Sequence, residues 1–247
     1  MSFGMSLDKK KELYESYLRE IGGIKFTFRE IDVISCIMHN RGEKKIASLL
    51  QISPRTVGTH LHNIMLKLGQ NSRESIIDFI EKSGKLSYIK KYYFHILIQS
   101  TFEQSLVKIG KTINRKAFDC SLNVSQLDEK EKKKLSNITS HLKLANINLI
   151  KNNKSTEHKF NIHCITNNFI PKAESGDILL LFKQAEAEED FLENNYIDFC
   201  LDKDYYSAIF VLLEKILGVE EIREIKEGFF SEYQAISESW KGQSVSN

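Results

Sequence analysis

Residues 43–69 read EKKIASLLQISPRTVGTHLHNIMLKLG, and the rest of the chain is best read outward from them. Ile46, Ala47 and Leu50 make one apolar face of helical period. Val57, Leu61, Ile64 and Leu68 make a second, at spacings of four, three and four. Between the two stripes, Gln51-Ile52 reads as a turn. Ser53 is a good N-cap residue, and Pro54 stands at the first helical position, where its missing N–H costs nothing. Gly69 ends the second stripe. Two helices joined by a tight turn follow, with Ala47 small enough to let them cross closely. The outward positions are then Lys44, Lys45, Arg55, Thr56, Thr59, His62, Asn63 and Lys67. A second helix presented this way fits a DNA major groove, which is about 12 Å wide. The first helix and the N-terminus of the second would face phosphates.

The flanks extend the helical reading. Residues 7–20, LDKKKELYESYLRE, place Leu7, Leu13, Tyr14, Tyr17 and Leu18 on one side of an amphipathic helix, which Gly22 and Gly23 stop. Thr27 with Glu30 is a capping box, and it opens a helix striped by Ile31, Val33, Ile34, Ile37 and Met38. Asn40-Arg41-Gly42 ends that helix. Ser72 caps a last helix, RESIIDFIEKSG, which Gly84 closes.

Residues 26–80 resemble the LuxR-type (GerE-type) helix-turn-helix domain. The opening L-T-x-R-E of that family is met by Phe26, Thr27, Arg29 and Glu30. Its I-A-x-x-L-x-I-S core is met by Ile46, Ala47, Leu50, Ile52 and Ser53, and its T-V-x-x-H by Thr56, Val57 and His60. Lys67, Leu68 and Arg73 match the K-L ending and the later Arg. Two departures stand out. Glu43, Lys44 and Lys45 replace the usual Asn-Lys-Glu, and Gly58 stands where a Lys is common. The resemblance implies that Gly58, Thr59 and His62 occupy the positions that reach base edges. It also implies pairing of two copies through the helix at 73–83, by Ile76, Ile77 and Ile80. The same three residues would equally serve the domain's own core. A dimer would set two recognition helices about 34 Å apart, one turn of DNA.

Beyond Lys90 the chain changes character. YYFHILIQS, 92–100, reads as a buried strand, with a helix at about 101–113. KAFDCSLNV, FNIHCITN, DILLLFKQ and YIDFCLD read as four further strands. DEKEKKKLSNITSHLKLANINLI, capped by Asp128 or Ser125, reads as one long helix. AEAEEDFLENN, YYSAIFVLLEKILG and about 220–238 are helical too. Strands alternating with helices predict a mostly parallel sheet of about five strands, flavodoxin-like, with helices on both faces. This half faintly resembles a receiver domain, in the order helix, strand, Lys203, final apolar helix. Receiver phosphorylation needs carboxylates after the first strand and an acceptor Asp after a central one. The strand ends Gln99-Ser100-Thr101 and Thr166-Asn167-Asn168 supply none, so a degenerate, phosphorylation-independent pseudo-receiver, or an unrelated α/β domain, is expected.

Composition fits this picture. The chain has 247 residues, 41% apolar and 28% charged, as expected of a soluble globular protein. No apolar run nears the ~20 residues that span a bilayer, and the N-terminus lacks a signal-peptide core, so a cytoplasmic protein is expected. Residues 1–90 hold 15 Lys and Arg against 10 Asp and Glu, while the remainder leans acidic. A nucleic-acid-facing front follows. Cys36, Cys120, Cys164 and Cys200 are too scattered for a disulfide framework and read as reduced thiols. Neither His163-Cys164 nor the pair His60 and His62 offers four tetrahedral ligands, so no metal and no cofactor are expected. The chain carries no dinucleotide, phosphate-loop, zinc-protease or nucleophile-elbow motif, and no enzyme is expected.

The expected architecture is therefore an N-terminal helix at 1–24 and an all-α four-helix helix-turn-helix domain at 25–86. An α/β domain at 90–219 and a C-terminal helix and tail at 220–247 follow. The expected function is that of a homodimeric, sequence-specific regulator of transcription, with helix 53–68 in the major groove. Two other readings stay open. One is a protein-interaction adaptor that has lost DNA binding, as Gly58 and the N-terminal place of the domain suggest. The other is a regulator that senses a small ligand or a protein partner through the α/β domain.

Overall fold

The computed structural model describes residues 14, 16–112, 118–124, 127–151, 161–165, 177–182, 196–200, 205–220 and 222–243. The chain divides into two compact units. Residues 1–101 with 231–247 form the first, and residues 102–230 the second.

In the first unit, β1 (Glu20–Ile21) and β2 (Ile24–Lys25) pair antiparallel. Gly22 and Gly23, at φ 56° and 80°, supply the two left-handed residues that a two-residue hairpin turn requires. The glycines that the sequence reading used as a helix stop are thus a hairpin. A side chain at Gly22 would also meet the Phe79 ring at 2.9 Å. Of the helix expected over residues 7–20, residues 16–18 are helical and Leu18 is buried, while 7–13 and 15 lie outside the described residues.

Helix α1 (Phe28–Ile37) begins with the Thr27–Glu30 capping box. Helices α2 (Glu43–Leu50), α3 (Pro54–Leu68) and α4 (Arg73–Lys82) follow. Gln51 at φ 53° turns α2 into α3, and Gly69 and Gly84 turn the chain after α3 and α4. Ile31 and Ile34 of α1, Ile46 of α2, Val57 and Ile64 of α3, and Ile76 and Ile80 of α4 are wholly buried in one core.

Helix α5 (Leu86–Thr112) corrects the sequence reading, since the strand expected at 92–100 is its middle. The run YYFHILIQS is apolar all round because Tyr92, Tyr93, Phe94, His95, Ile96 and Ile98 are all buried. Burial on every side erases the 3.6-residue stripe that marks a helix. Ile89, Tyr92, Tyr93 and Ile96 join the core of the first unit.

The second unit holds a parallel sheet of β3 (Phe118–Asn123), β4 (Ile147–Lys151), β5 (Asn161–Ile165), β6 (Ile178–Leu181) and β7 (Tyr196–Asp198). Their order is β4-β3-β5-β6-β7, with every neighbouring pair parallel. Five strands were expected and five are observed, but the membership differs. The strand at 92–100 is absent, and β4 stands where one long helix was expected to run on to Ile150. Helix α6 (Glu129–Leu144), capped by Asp128, ends there because Ala145 caps it and Asn146 turns left-handed at φ 60°. Helix α7 (Tyr205–Leu217) buries Ala208, Ile209, Phe210, Leu212, Leu213 and Ile216. Helix α8 (Arg223–Gln243) brings Phe229 to within 5.4 Å of Phe102 and of Phe210, ring centre to ring centre. The helix expected at 185–195 and Lys203 lie outside the described residues.

His163 and Cys164 point to opposite faces of β5, as successive strand residues must. Burial pushes the Cys164 thiol up to about 12, while His163 Nε2 lies 3.0 Å from Asp177 Oδ2. Cys36 and Cys120 are buried as well, and Cys200 is half-buried. Among the described residues no helix is long and apolar enough to cross a membrane.

Gly110 sits where α5 meets the end of α6. A Cβ there would lie 2.9 Å from the Leu144 carbonyl oxygen, and Asn146 Nδ2 donates to the Gly110 oxygen over 2.8 Å. Gly110→Ala forces α5 away from the end of α6 and is expected to destabilise the second unit by about 1–3 kcal/mol. An unchanged midpoint in urea unfolding, followed by circular dichroism, would contradict that packing.

Candidate nucleic-acid interface

The turn between α2 and α3 is built from its backbone. Gln51 adopts the left-handed conformation, and Ile52 N donates to the Ala47 oxygen over 3.0 Å. Ser53 Oγ then accepts from Thr56 N over 3.1 Å and lies 2.8 Å from Thr56 Oγ1. Thr56, an expected contact residue, therefore spends its hydroxyl partly on the helix cap. Ala47 is buried at the crossing of the two helices.

Val57, Leu61 and Ile64 face inward and are buried. The opposite side of α3 exposes Arg55, Thr59, His62, Asn63 and Leu66. Leu66 is 64% exposed. Gly58 sits half-exposed within this stripe, and nothing lies within 4 Å of where its Cβ would be. Lys44 and Lys45 are exposed in the first turn of α2. The first turn of α3 holds Arg55 and no acid. A cation beside the positive end of a helix dipole opposes the helix's own stability, whereas an anionic partner there is favourable.

Lys67 is placed differently from its neighbours. Its Nζ lies 2.6 Å from Glu30 Oε2, donates to the Lys25 oxygen over 3.1 Å and stands 5.6 Å from the centre of the Phe26 ring. Glu30 is 3% exposed and also accepts from Thr27 N over 2.7 Å. The end of α3 is thus tied to the start of α1. Burial of Glu30 raises its pKa, but the Lys67 and Thr27 hydrogen bonds outweigh burial and hold the carboxyl below the usual carboxylate range.

Four residues that position the motif escaped the sequence reading in that role. Arg41 donates through Nε to Tyr93 Oη over 2.7 Å, and Arg73 donates to the Arg41 oxygen over 2.6 Å. His39 stacks on Tyr93 at 4.1 Å. These bonds hold the loop before α2, and Tyr93 was hidden inside the presumed strand. On α4, Ile76 and Ile80 are wholly buried within the unit, and Ile77 is half-buried. The exposed side of α4 carries Glu74, Asp78 and Glu81.

These helices and their turn make the segment a helix-turn-helix domain. Residues 25–80 match the family model GerE, bacterial regulatory proteins of the luxR family. The match ends before α5 and leaves the second unit unassigned. No curated protein and no solved structure matches the chain.

Because its folded-state pKa is depressed, Glu30 adds stability above its unfolded pKa, and that stability is lost as pH falls through the folded value. Acid unfolding is therefore expected to be less steep in Glu30→Gln than in the parent chain. Lys67→Ala leaves the buried carboxylate without its cation and is expected to cost about 1–3 kcal/mol at pH 7. Equal stabilities of parent and Lys67→Ala across the pH range would remove this tie from the account.

Proposed function

We propose that the chain is a sequence-specific, DNA-binding regulator of transcription that lays α3 in the major groove. The observation that carries this reading is one helix with a buried inner side and an outer side of Arg55, Gly58, Thr59, His62 and Asn63. The luxR-family match over the same residues supports it. Lys44, Lys45 and Arg55 hold phosphates, Thr59 and His62 read bases with Asn63 beside them, and Gly58 lets the backbone come close. Lys67 serves this surface by fixing the pitch of α3 and reaches a phosphate only by leaving Glu30. The protein acts in the cytoplasm, where bacterial DNA lies, and needs no catalytic group.

The second unit is the input or assembly domain. Counting its strands from β3, the order is 2-1-3-4-5, which supports a flavodoxin-like fold. Such sheets take ligands beyond the C-terminal strand ends, where the winding reverses. That order favours a small-ligand input as the second reading. With β3 as first strand, its end is Asn123-Val124, and in sequence Thr166-Asn167-Asn168 follow the last residue of β5. Neither place carries a carboxylate, so this pseudo-receiver works without phosphorylation. A homodimer paired through α4 rests on Ile77, with Ile76 and Ile80 holding the helix from below. Glu74, Asp78 and Glu81 repel across a two-fold axis, so such pairing strengthens with salt.

Arg55→Ala is expected to weaken binding to every duplex alike and to lower the slope of log affinity against log salt by about 1. The Lys44→Ala, Lys45→Ala double variant lowers it by about 2. Gel-shift titrations at several salt concentrations read both. Unchanged slopes in both variants would place the DNA elsewhere. A folded chain that enriches no duplex from a random pool would favour the adaptor reading.

A further inference from the structure

Thr59 is exposed midway along the outer side of α3, and its Oγ1 donates to the Arg55 carbonyl oxygen over 3.1 Å. A threonine hydroxyl has one hydrogen to give. Spent on the preceding turn, it leaves Thr59 no donor for the N7, O6 or O4 acceptors of a base edge. A hydroxyl that reaches back four residues lies along its own helix, and the methyl group is what the side chain has left to present. Gly58, next to it, carries no side chain to hold α3 away, and nothing else lies within 4 Å of that position. The long side chains on this face, Arg55 and His62, stand four residues before and three after. Between them, Gly58 and Thr59 are the small residues of this face. Among base edges in the major groove, thymine alone offers a methyl.

Resting on the DNA-binding reading above, we propose that Thr59 is a specificity-determining residue that reads one thymine in each half-site by methyl-to-methyl contact. Gly58 is the positioning residue that allows the approach. The hydroxyl oxygen keeps an acceptor lone pair, so acceptance from the amino group of adenine or cytosine is the rival chemistry. The backbone bond that fixes the hydroxyl against the helix disfavours it.

Uracil for thymine removes only the C5 methyl, which makes the test direct. Duplexes are selected from a random pool with the full chain, and each thymine of the selected site is replaced in turn by uracil. The parent protein is expected to lose affinity about fourfold at one position per half-site, the worth of one buried methyl. Thr59→Val keeps the methyl and keeps that loss. Thr59→Ser keeps the hydroxyl, loses the methyl and binds the thymine and uracil sites alike. Circular dichroism checks that both variants fold, as conservative changes at an exposed position should. A parent indifferent to uracil at every position overturns the proposal, as does a Thr59→Ser variant that retains the loss. A preference for adenine or cytosine at one position of the selected site, kept by Thr59→Ser and lost by Thr59→Val, overturns the proposal and assigns the residue to an amino group instead. Failure to enrich any duplex overturns the DNA-binding reading itself. Enrichment with indifference to uracil leaves that reading standing and removes only this one.

Discussion

The rotation of α3 about its own axis is the constraint on which the rest of the first unit depends. Val57, Leu61 and Ile64 are buried against α1, α2 and α4, each worth about 1.5–3 kcal/mol of transfer from water. No exposed side chain on the opposite side offers a competing term of that size, because surface contacts are worth about 1 kcal/mol or less. The helix therefore cannot turn without exposing its anchor. Arg55, Thr59, His62 and Asn63 are held outward as a consequence of what is buried behind them. At one end the left-handed Gln51 and the small Ala47 set the angle of entry. At the other, the Lys67–Glu30 pair sets where the helix finishes.

The second unit obeys a different constraint. A parallel sheet is covered on both faces, and β6, which lies inside it, shows the result most plainly: Ile178, Leu179 and Leu180 are all buried. The cost is ambiguity, since such runs carry no alternation to mark them as strands. The buried Asp177 is held from two sides: Asn161 Nδ2 donates to its Oδ1 over 3.1 Å, and His163 Nε2 closes on its Oδ2. An unpaired carboxylate at that depth would be expensive.

Two errors in the sequence reading share one cause. YYFHILIQS and LANINLI are short apolar stretches in which periodicity does not tell strand from helix. The first is the middle of α5, where Tyr92, Tyr93, Phe94, His95, Ile96 and Ile98 are all buried. Its flanks held the missing clue, for no Gly or Pro interrupts the chain between Gly84 and Gly110. The second is a strand because Asn146, a residue at ease with φ above zero, ends α6 just before it. The same blindness hid Tyr93, whose hydroxyl holds Arg41. Lys67 shows another limit. Its place in the motif marked it as outward, and only the packing of α1 against α3 reveals the carboxylate that captures it.

What the sequence by itself determined is local: the caps at Thr27, Ser53 and Ser72, and the breaks at Gly69 and Gly84. The inward positions of α1 to α4 belong with them, because caps and stripes act within a turn or two of chain. What only the tertiary structure decided is which of two local solutions an apolar run takes, how five strands order themselves, and which outward cation is already spoken for. Those outcomes depend on partners tens of residues away, and burial against them outweighs any local preference.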